Sequence, residues 1–200
     1  MFKNVIGLIV EYNPFHNGHA HHIAETKRIT GADYIIILMS GNFVQRGEPA
    51  IIDRYLRAKS AISSGADAVF ELPVTVSTGS AETFADGSVA LAHKLGIVDF
   101  LSFGAENENI DELINCSKFL VEKEHNNDIV KLMSKGLTYP EAREAYLRNT
   151  GHEKEADLLK TSNNILAIAY LSKLLRLNSA ITPVAIKRAE VFHDASIVPD

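Results

Sequence analysis

Cysteine is nearly missing from this chain: Cys116 is the only one among 200 residues. No disulfide can form within it, and a reducing, cytoplasmic setting is the expectation. Long apolar runs are missing too; none approaches the ~20 residues of a membrane span. No signal peptide is expected, because Met1-Phe2-Lys3-Asn4 runs straight into a strand pattern without a small-residue cleavage site. No membrane partner is therefore expected. Neither a Gly-x-Gly-x-x-Gly fingerprint nor a Walker A motif occurs, which argues against a dinucleotide dehydrogenase or a P-loop enzyme. A basic excess is also lacking. The formal net charge is −5, and twelve acids against eight bases between Gly104 and Lys160 account for most of it. The chain as a whole is no basic nucleic-acid arm.

What is present is a sizeable apolar fraction, 46%, enough for a core in one or two domains. The first half alternates strand and helix patterns. Val5–Val10 reads as strand one, followed by a helix from His19 to Thr30. Tyr34–Met39, apolar throughout, reads as a strand covered on both faces. Ser40 to Ile52 reads as a long loop, and Asp53 as the cap of a helix reaching Ser64. Ala68–Leu72 is strand three. A helix from Ser80 ends at Gly96, and Phe100–Phe103 is strand four, ended by Gly104. Short turns between these elements imply a parallel sheet wrapped by helices, an α/β, Rossmann-like fold. From Asn109 to Arg176 the pattern is helix after helix, with Thr138 and Pro140 opening one of them. Ile181–Ile186 reads as a returning strand. The expected division is a core over 1–108, a helical insertion over 109–178 before the last strand, and that strand in 179–200. Ser196–Asp200 reads as a polar loop rather than a domain end, so a longer protein is expected.

Ligands of open parallel sheets bind at the carboxyl ends of the strands. Strand one ends in Glu11, Asn13, His16 and His19, where a strand becomes a helix. Such a place attracts anions, because free backbone N–H groups and the positive helix end both point outward. Gly18 lets a phosphate approach the backbone closely. Two imidazoles there can donate N–H as charge builds on a departing pyrophosphate, which points to nucleotide phosphates held for attack at the α-phosphorus. His19 and His22 share a helix face, but no carboxylate or cysteine in the segment completes a zinc set, so no resident metal is expected. Mg2+ arriving with ATP is the expected metal. Strand two ends in Ser40-Gly41-Asn42, with Gln45 and Arg46 close behind, a loop long enough to carry function. Strand three ends in Glu71, strand four in Gly104-Ala105-Glu106, and the last strand in Lys187-Arg188.

Phe15-His16-Asn17-Gly18-His19 resembles the HxGH motif of the nucleotidylyltransferase superfamily. A longer set resembles the tRNA(Met) cytidine acetate ligase family more closely. It comprises Gly7 to His19, Met39 to Phe43, Gln45 to Ala50, Glu71 to Val74, Phe103-Gly104, Ser162 to Leu166, Ile186 to Arg188 and His193-Asp194. The resemblance implies an ATP-dependent ligase that makes acetyl-adenylate from acetate and acetylates the wobble cytidine of elongator tRNA(Met) to N4-acetylcytidine. It implies a Rossmann-like nucleotidylyltransferase fold. It also implies an ATP site at Ile9, Val10, Glu11, Tyr12, Asn13, Phe15, His16, Asn17, Gly18, His19 and His22, completed by Gly104, Asn163 and Arg188. Asn163 and its neighbour Asn164 are both open for that last role. His16 and His19 are the expected catalytic pair; the resemblance names no acetate residues, and the polar loop from Ser40 to Arg46, with Ser40 and Arg46 themselves, is the expected acetate side. The superfamily's second phosphate motif and most of the basic tRNA surface are expected after Asp200. The alternatives are a metabolite adenylyltransferase acting on pantetheine phosphate or nicotinamide mononucleotide, and a nucleotide-binding module without catalysis.

Overall fold

The computed structural model describes residues 4–107, 109–123 and 127–187. Among the described residues, five strands form one parallel sheet: β1 Val5–Val10, β2 Tyr34–Ser40, β3 Ala68–Leu72, β4 Phe100–Ala105 and β5 Thr182–Lys187. Their order is β3-β2-β1-β4-β5, so the chain winds outward from β1 in one direction and then crosses back to continue in the other. Alternation along the buried strands gives two cores. Ile35, Ile37 and Met39 face one side with Ile6 and Leu8, where α1 (Asn17–Thr30) and α2 (Arg54–Ser63) cover them through Ile23 and Ala61. Ile36 and Leu38 face the other side with Ile9, Leu101 and Phe103. That side is covered by α4 (Ala81–Leu95), α5 (Ile110–Glu122) and α9 (Ser162–Arg176).

The helix boundaries have local causes. Asp53 accepts from the Tyr55 N–H at 2.8 Å and starts α2. Ser80 accepts from the Thr83 N–H and starts α4, and Gly96 at φ 67° stops it. A four-residue helix α3, Val74–Ser77, lies between β3 and α4. Its Val-Thr-Val composition does not favour helix, and no pattern announced it. Between β4 and β5 the described residues form α5, α6 (Asn127–Ser134), α7 (Tyr139–Asn149), α8 (Glu153–Leu158) and α9. Thr138 and Glu141 close a capping box on α7, with Pro140 in its first turn. α9 packs against α4 and α5 and so returns the chain to the sheet.

Two expectations need correction. β4 does not stop at Gly104; that residue pairs with Ile186 inside the ladder, and the strand runs to Ala105. α1 begins at Asn17, two residues before the expected start, because His16 itself caps it. Among the described residues, no helix is long and apolar enough to cross a membrane.

Candidate nucleotide-binding site

The winding reverses between β1 and β4, and a cavity of about 390 Å³ opens there at the carboxyl ends of the strands. It spans both faces of the sheet. On the α1 side it is lined by Glu11, Tyr12, Asn13, His16, Gly18, His19, His21 and His22. On the α4 and α9 side Phe84, Phe103, Asn163, Leu166 and Tyr170 line it, with Ile9, Val10, Gly104, Ile186 and Lys187 beneath.

The α1 end is built by its own histidines. His16 is extended (φ −144°, ψ 173°) and its Nδ1 accepts from the Gly18 N–H at 3.1 Å. His19 Nδ1 accepts in return from the His16 N–H at 3.2 Å. The two rings stack at 3.7 Å. This is a capping box made of imidazoles, in which the Nδ1 atoms meet donor groups normally left open at a helix start. A neutral ring that accepts at Nδ1 carries its proton on Nε2. No acidic residue stands in the first turn to cancel the positive end of the helix dipole. Tyr12 supports the pair from behind, its ring 4.7 Å from His19 and 4.8 Å from Phe15. Tyr12 takes a left-handed φ of 53° and is buried; among the described residues its hydroxyl has no hydrogen-bond partner, and burial pushes that hydroxyl's pKa up.

The loop between β1 and α1 is tied to its neighbour. Glu11 Oε1 accepts from the Gln45 N–H at 2.7 Å, and Asn13 Oδ1 from the Ile51 N–H at 2.7 Å. Beneath both lies Arg57, 1% exposed. Its guanidinium donates to the carbonyl oxygens of Ile52 (2.9 Å), Glu11 (2.6 Å), Ser40 (3.0 Å) and Gly41. Burial draws its pKa down, while Asp53, Glu11 and Glu71 oppose that. Next to it, Arg54 forks onto both Glu71 oxygens at 2.7 and 2.8 Å. Gly41 leaves room for this pair, since a Cβ there would meet the Glu71 carboxylate and force that side chain to shift.

The far end is organised by Glu106, just past β4. Its carboxylate accepts from Thr161 Oγ1 (2.9 Å), Asn163 Nδ2 (2.5 Å) and the Asn164 N–H (3.0 Å). Partial burial pushes the carboxyl up, but the hydrogen bonds from Asn163, Thr161 and Asn164 outweigh it and leave the group below the ordinary carboxylate range. Asn164 is buried and turns its Oδ1 to the N–H groups of Glu106 (3.1 Å) and Asn107 (3.2 Å).

Most of the residues singled out in the sequence thus meet at one cavity: Ile9 to Asn13, His16, Gly18, His19, His22, Gly104 and Asn163. His22 also bonds Ser102 Oγ at 2.9 Å and so joins α1 to β4. Phe15 and Asn17 stand outside the lining, Phe15 as a ring packed on Tyr12 and His19. Ser40 is fully buried at the end of β2 and does not line the cavity. Arg46 belongs to a short 3-10 turn, Gln45–Gly47. Arg188, His193 and Asp194 lie outside the described residues. Sequence reasoning missed Phe84, Leu166 and Tyr170. Asn163, Leu166 and Tyr170 recur at i, i+3 and i+7, a single helix face that was readable in principle. Among the described residues, no three or more His, Cys, Asp or Glu are grouped to hold a metal ion.

Residues 3–199 match the family model described as HIGH Nucleotidyl Transferase. A protein of Acetivibrio thermocellus named tRNA(Met) cytidine acetate ligase is 47% identical over 188 residues, covering 92% of this chain and 45% of that protein. One of the same name from Thermoanaerobacter sp. is 46% identical over 187 residues, covering 92% and 47%. The crystal structure of Thermotoga maritima TmcAL bound with alpha-thio ATP superposes with a TM-score of 0.86 at 39% identity, covering 93% of this chain and 47% of that one. The chain spans about half the length of the relatives it matches.

Proposed function

The chain belongs to the HIGH nucleotidyl transferase family, and on that premise we propose that it is the ATP-binding, adenylate-forming part of a tRNA(Met) cytidine acetate ligase acting in the cytoplasm. Its substrates are ATP with Mg2+, acetate and elongator tRNA(Met). Residues 1–108 and 179–200 are the proposed catalytic core and 109–178 the insertion that closes the base side of the site.

The observation that carries the proposal is the imidazole capping box at the start of α1. Both rings are held by their Nδ1 atoms, so both can present Nε2–H to phosphate oxygens without first being ordered. The triphosphate lies against His16, Gly18 and His19. The purine runs toward the apolar wall of Phe84, Phe103, Leu166 and Tyr170. Ile9 to Asn13, Phe15, Asn17, His22, Gly104, Asn163 and Arg188 complete the nucleotide set, with Phe15 and Asn17 acting through the loop they shape. The loop from Ser40 to Arg46, which reaches the cavity through Gln45, is the proposed acetate side.

In this reading an acetate oxygen attacks the α-phosphorus in line. The bond from that phosphorus to the α,β-bridging oxygen breaks, and pyrophosphate leaves with the electron pair. His16 and His19 stabilise the charge that develops on it. The protein contributes position and electrostatics rather than a covalent step. The N4 amine of the wobble cytidine then attacks the acetyl carbon. The bond to AMP breaks, AMP leaves, and the nitrogen releases a proton to give N4-acetylcytidine.

The test is pyrophosphate release from ATP by the full-length protein over a panel of carboxylates, with and without tRNA. Release that depends on acetate, and falls by about 10- to 200-fold for each added methylene, is the expected result. Release with pantetheine phosphate or nicotinamide mononucleotide in place of acetate would overturn it in favour of a metabolite adenylyltransferase. ATP binding without turnover would leave a binding module. Affinity for tRNA should fall with rising salt.

A further inference from the structure

Acetyl transfer to a cytidine leaves one proton in need of a destination. As the N4 amine closes on the acetyl carbon, its nitrogen becomes positive and must lose a hydrogen ion. An amine conjugated with a pyrimidine ring is a weak nucleophile, so an acceptor already in place speeds the step. Most of the polar lining cannot serve. His16 and His19 accept backbone N–H groups at Nδ1 and so carry their hydrogen on Nε2. Burial keeps the Tyr12 and Tyr170 hydroxyls protonated. His22 is tied to Ser102 through Nε2. The amides are not basic. Glu11 is different: among the described residues it is the only acid in the cavity wall. A carboxylate is a poor neighbour for a triphosphate, since like charges repel, so its place there calls for a task that needs a negative oxygen. It stands at the end of β1, where three parts of the site meet. The histidine turn follows it directly. Gln45, the residue that brings the Ser40–Arg46 loop to the cavity, donates its N–H to Glu11 Oε1 at 2.7 Å. The wall formed by α9 lies within reach of its charge, because the Tyr170 hydroxyl is pushed up first by burial and then by Glu11. The second carboxylate oxygen, Oε2, has no hydrogen-bond donor among the described residues.

We infer that Glu11 is the general base of the second step: its carboxylate takes the proton from N4 of the cytidine as that nitrogen bonds to the acetyl carbon. The bond from the acetyl carbon to the AMP oxygen breaks, and AMP leaves with the electron pair. No further reactant is needed. A group between the proposed phosphate seat on α1 and the apolar wall on α9 stands where the two halves of a nucleotide join. That is the α-phosphorus, and in the adenylate the acetyl group is bound to it. The Gln45 N–H holds the carboxylate by one oxygen and leaves the other for the proton. Acetyl-adenylate formation from acetate and ATP moves no proton, so Glu11 acts as a base in one half-reaction only. This inference rests on the ligase reading proposed above.

The experiment measures the two half-reactions of the full-length protein separately. Acetate-dependent exchange of pyrophosphate into ATP reads the first, and single-turnover acetylation of elongator tRNA(Met) reads the second. The deciding quantity is the ratio of transfer to exchange. Glu11→Gln keeps an oxygen for the Gln45 N–H and loses the base, so the ratio should fall about 100-fold. Hydroxylamine, a strong nucleophile that needs no base, should capture the acetyl group as hydroxamate equally well, relative to exchange, in both proteins. A Glu11 that held Mg2+ or only shaped the nucleotide site would slow exchange at least as much as transfer, and an unchanged ratio overturns the inference. His21, exposed on α1, is the competing imidazole. A ratio that collapses in His21→Ala and holds in Glu11→Gln gives the role to His21 and overturns the inference. Where Glu11→Gln does not fold, Glu11→Asp decides. It withdraws the carboxylate by one methylene, and the ratio should fall about 10-fold or more; an unmoved ratio again overturns the inference. Wild-type protein without acetate-dependent exchange would sink the ligase reading itself, whereas exchange with unmoved ratios removes only the assignment of Glu11.

Discussion

Two helix starts face the same cavity, and they are capped in opposite ways. α1 and α9 both lack an acidic residue in the first turn. α1 caps itself with two imidazoles, neutral groups that meet backbone donors but leave the positive end of the helix uncancelled. α9 gets nothing from its own N-cap, Thr161, and borrows a carboxylate from Glu106, far away in sequence, which cancels that end. One start therefore keeps its positive end and the other has it neutralised. In the proposed ATP reading the phosphates sit at the first and the base lies toward the second.

The strongest way to break this contrast is to remove the imidazoles. His16→Ala and His19→Ala should each lower acetate-dependent pyrophosphate release by about 100- to 1000-fold, as loss of a transition-state donor does. Thermal melting would check that the fold survives. The next effect should come from the anchor below the α1 loop. Arg57→Met leaves four carbonyl oxygens without their buried donor, and a loss of about 3 kcal/mol in urea unfolding is expected. Tyr12→Phe should act in the other direction. The hydroxyl is buried without a partner among the described residues, so its removal should raise stability by up to about 1 kcal/mol. If that variant instead slows pyrophosphate release, the hydroxyl meets the substrate.

The smallest effect sharpens the α9 side. The Glu106 carboxyl titrates below its ordinary value of 4.5 in the folded chain. Its stabilising contribution is therefore complete above the unfolded-state value and is lost as pH falls through the lower folded one. Unfolding midpoints followed from pH 7 down through that acid limb should fall less steeply in Glu106→Gln than in the wild type. Identical limbs would mean that the carboxylate gains nothing from capping α9.

Local rules made much of this legible in the sequence. Ala68–Leu72 stands where its apolar run puts it, and Asp53, Ser80, Gly96 and Thr138 cap as their residue types require. The gathering of the ends of β1, β4 and β5 at one cavity followed from parallel topology, whereas Ser40 and Glu71 at the ends of β2 and β3 stay outside its lining. What stayed hidden needed partners distant in sequence, or residues in uncommon roles. Histidine is not among the usual helix caps, so the true start of α1 and the tautomer of both rings could not be read. Arg57 looks like one more surface base on α2 until β1 and β2 turn their carbonyl groups toward it. Asn163 and Asn164 are indistinguishable as letters. Only Glu106, 57 positions earlier, gives one the cavity and the other the backbone.

The bonds that Glu11 and Asn13 receive from Gln45 and Ile51 carry a practical lesson for anyone editing this protein. The stretch from Ser40 to Ile52 looks like a tolerant outer segment, suited to insertions or epitope tags. It is stitched to the histidine turn and clamped by the Arg57 guanidinium, so a change in its length would travel straight to the proposed phosphate seat. Swaps with related enzymes should carry residues 11–19, 40–52 and 57 together as one cassette.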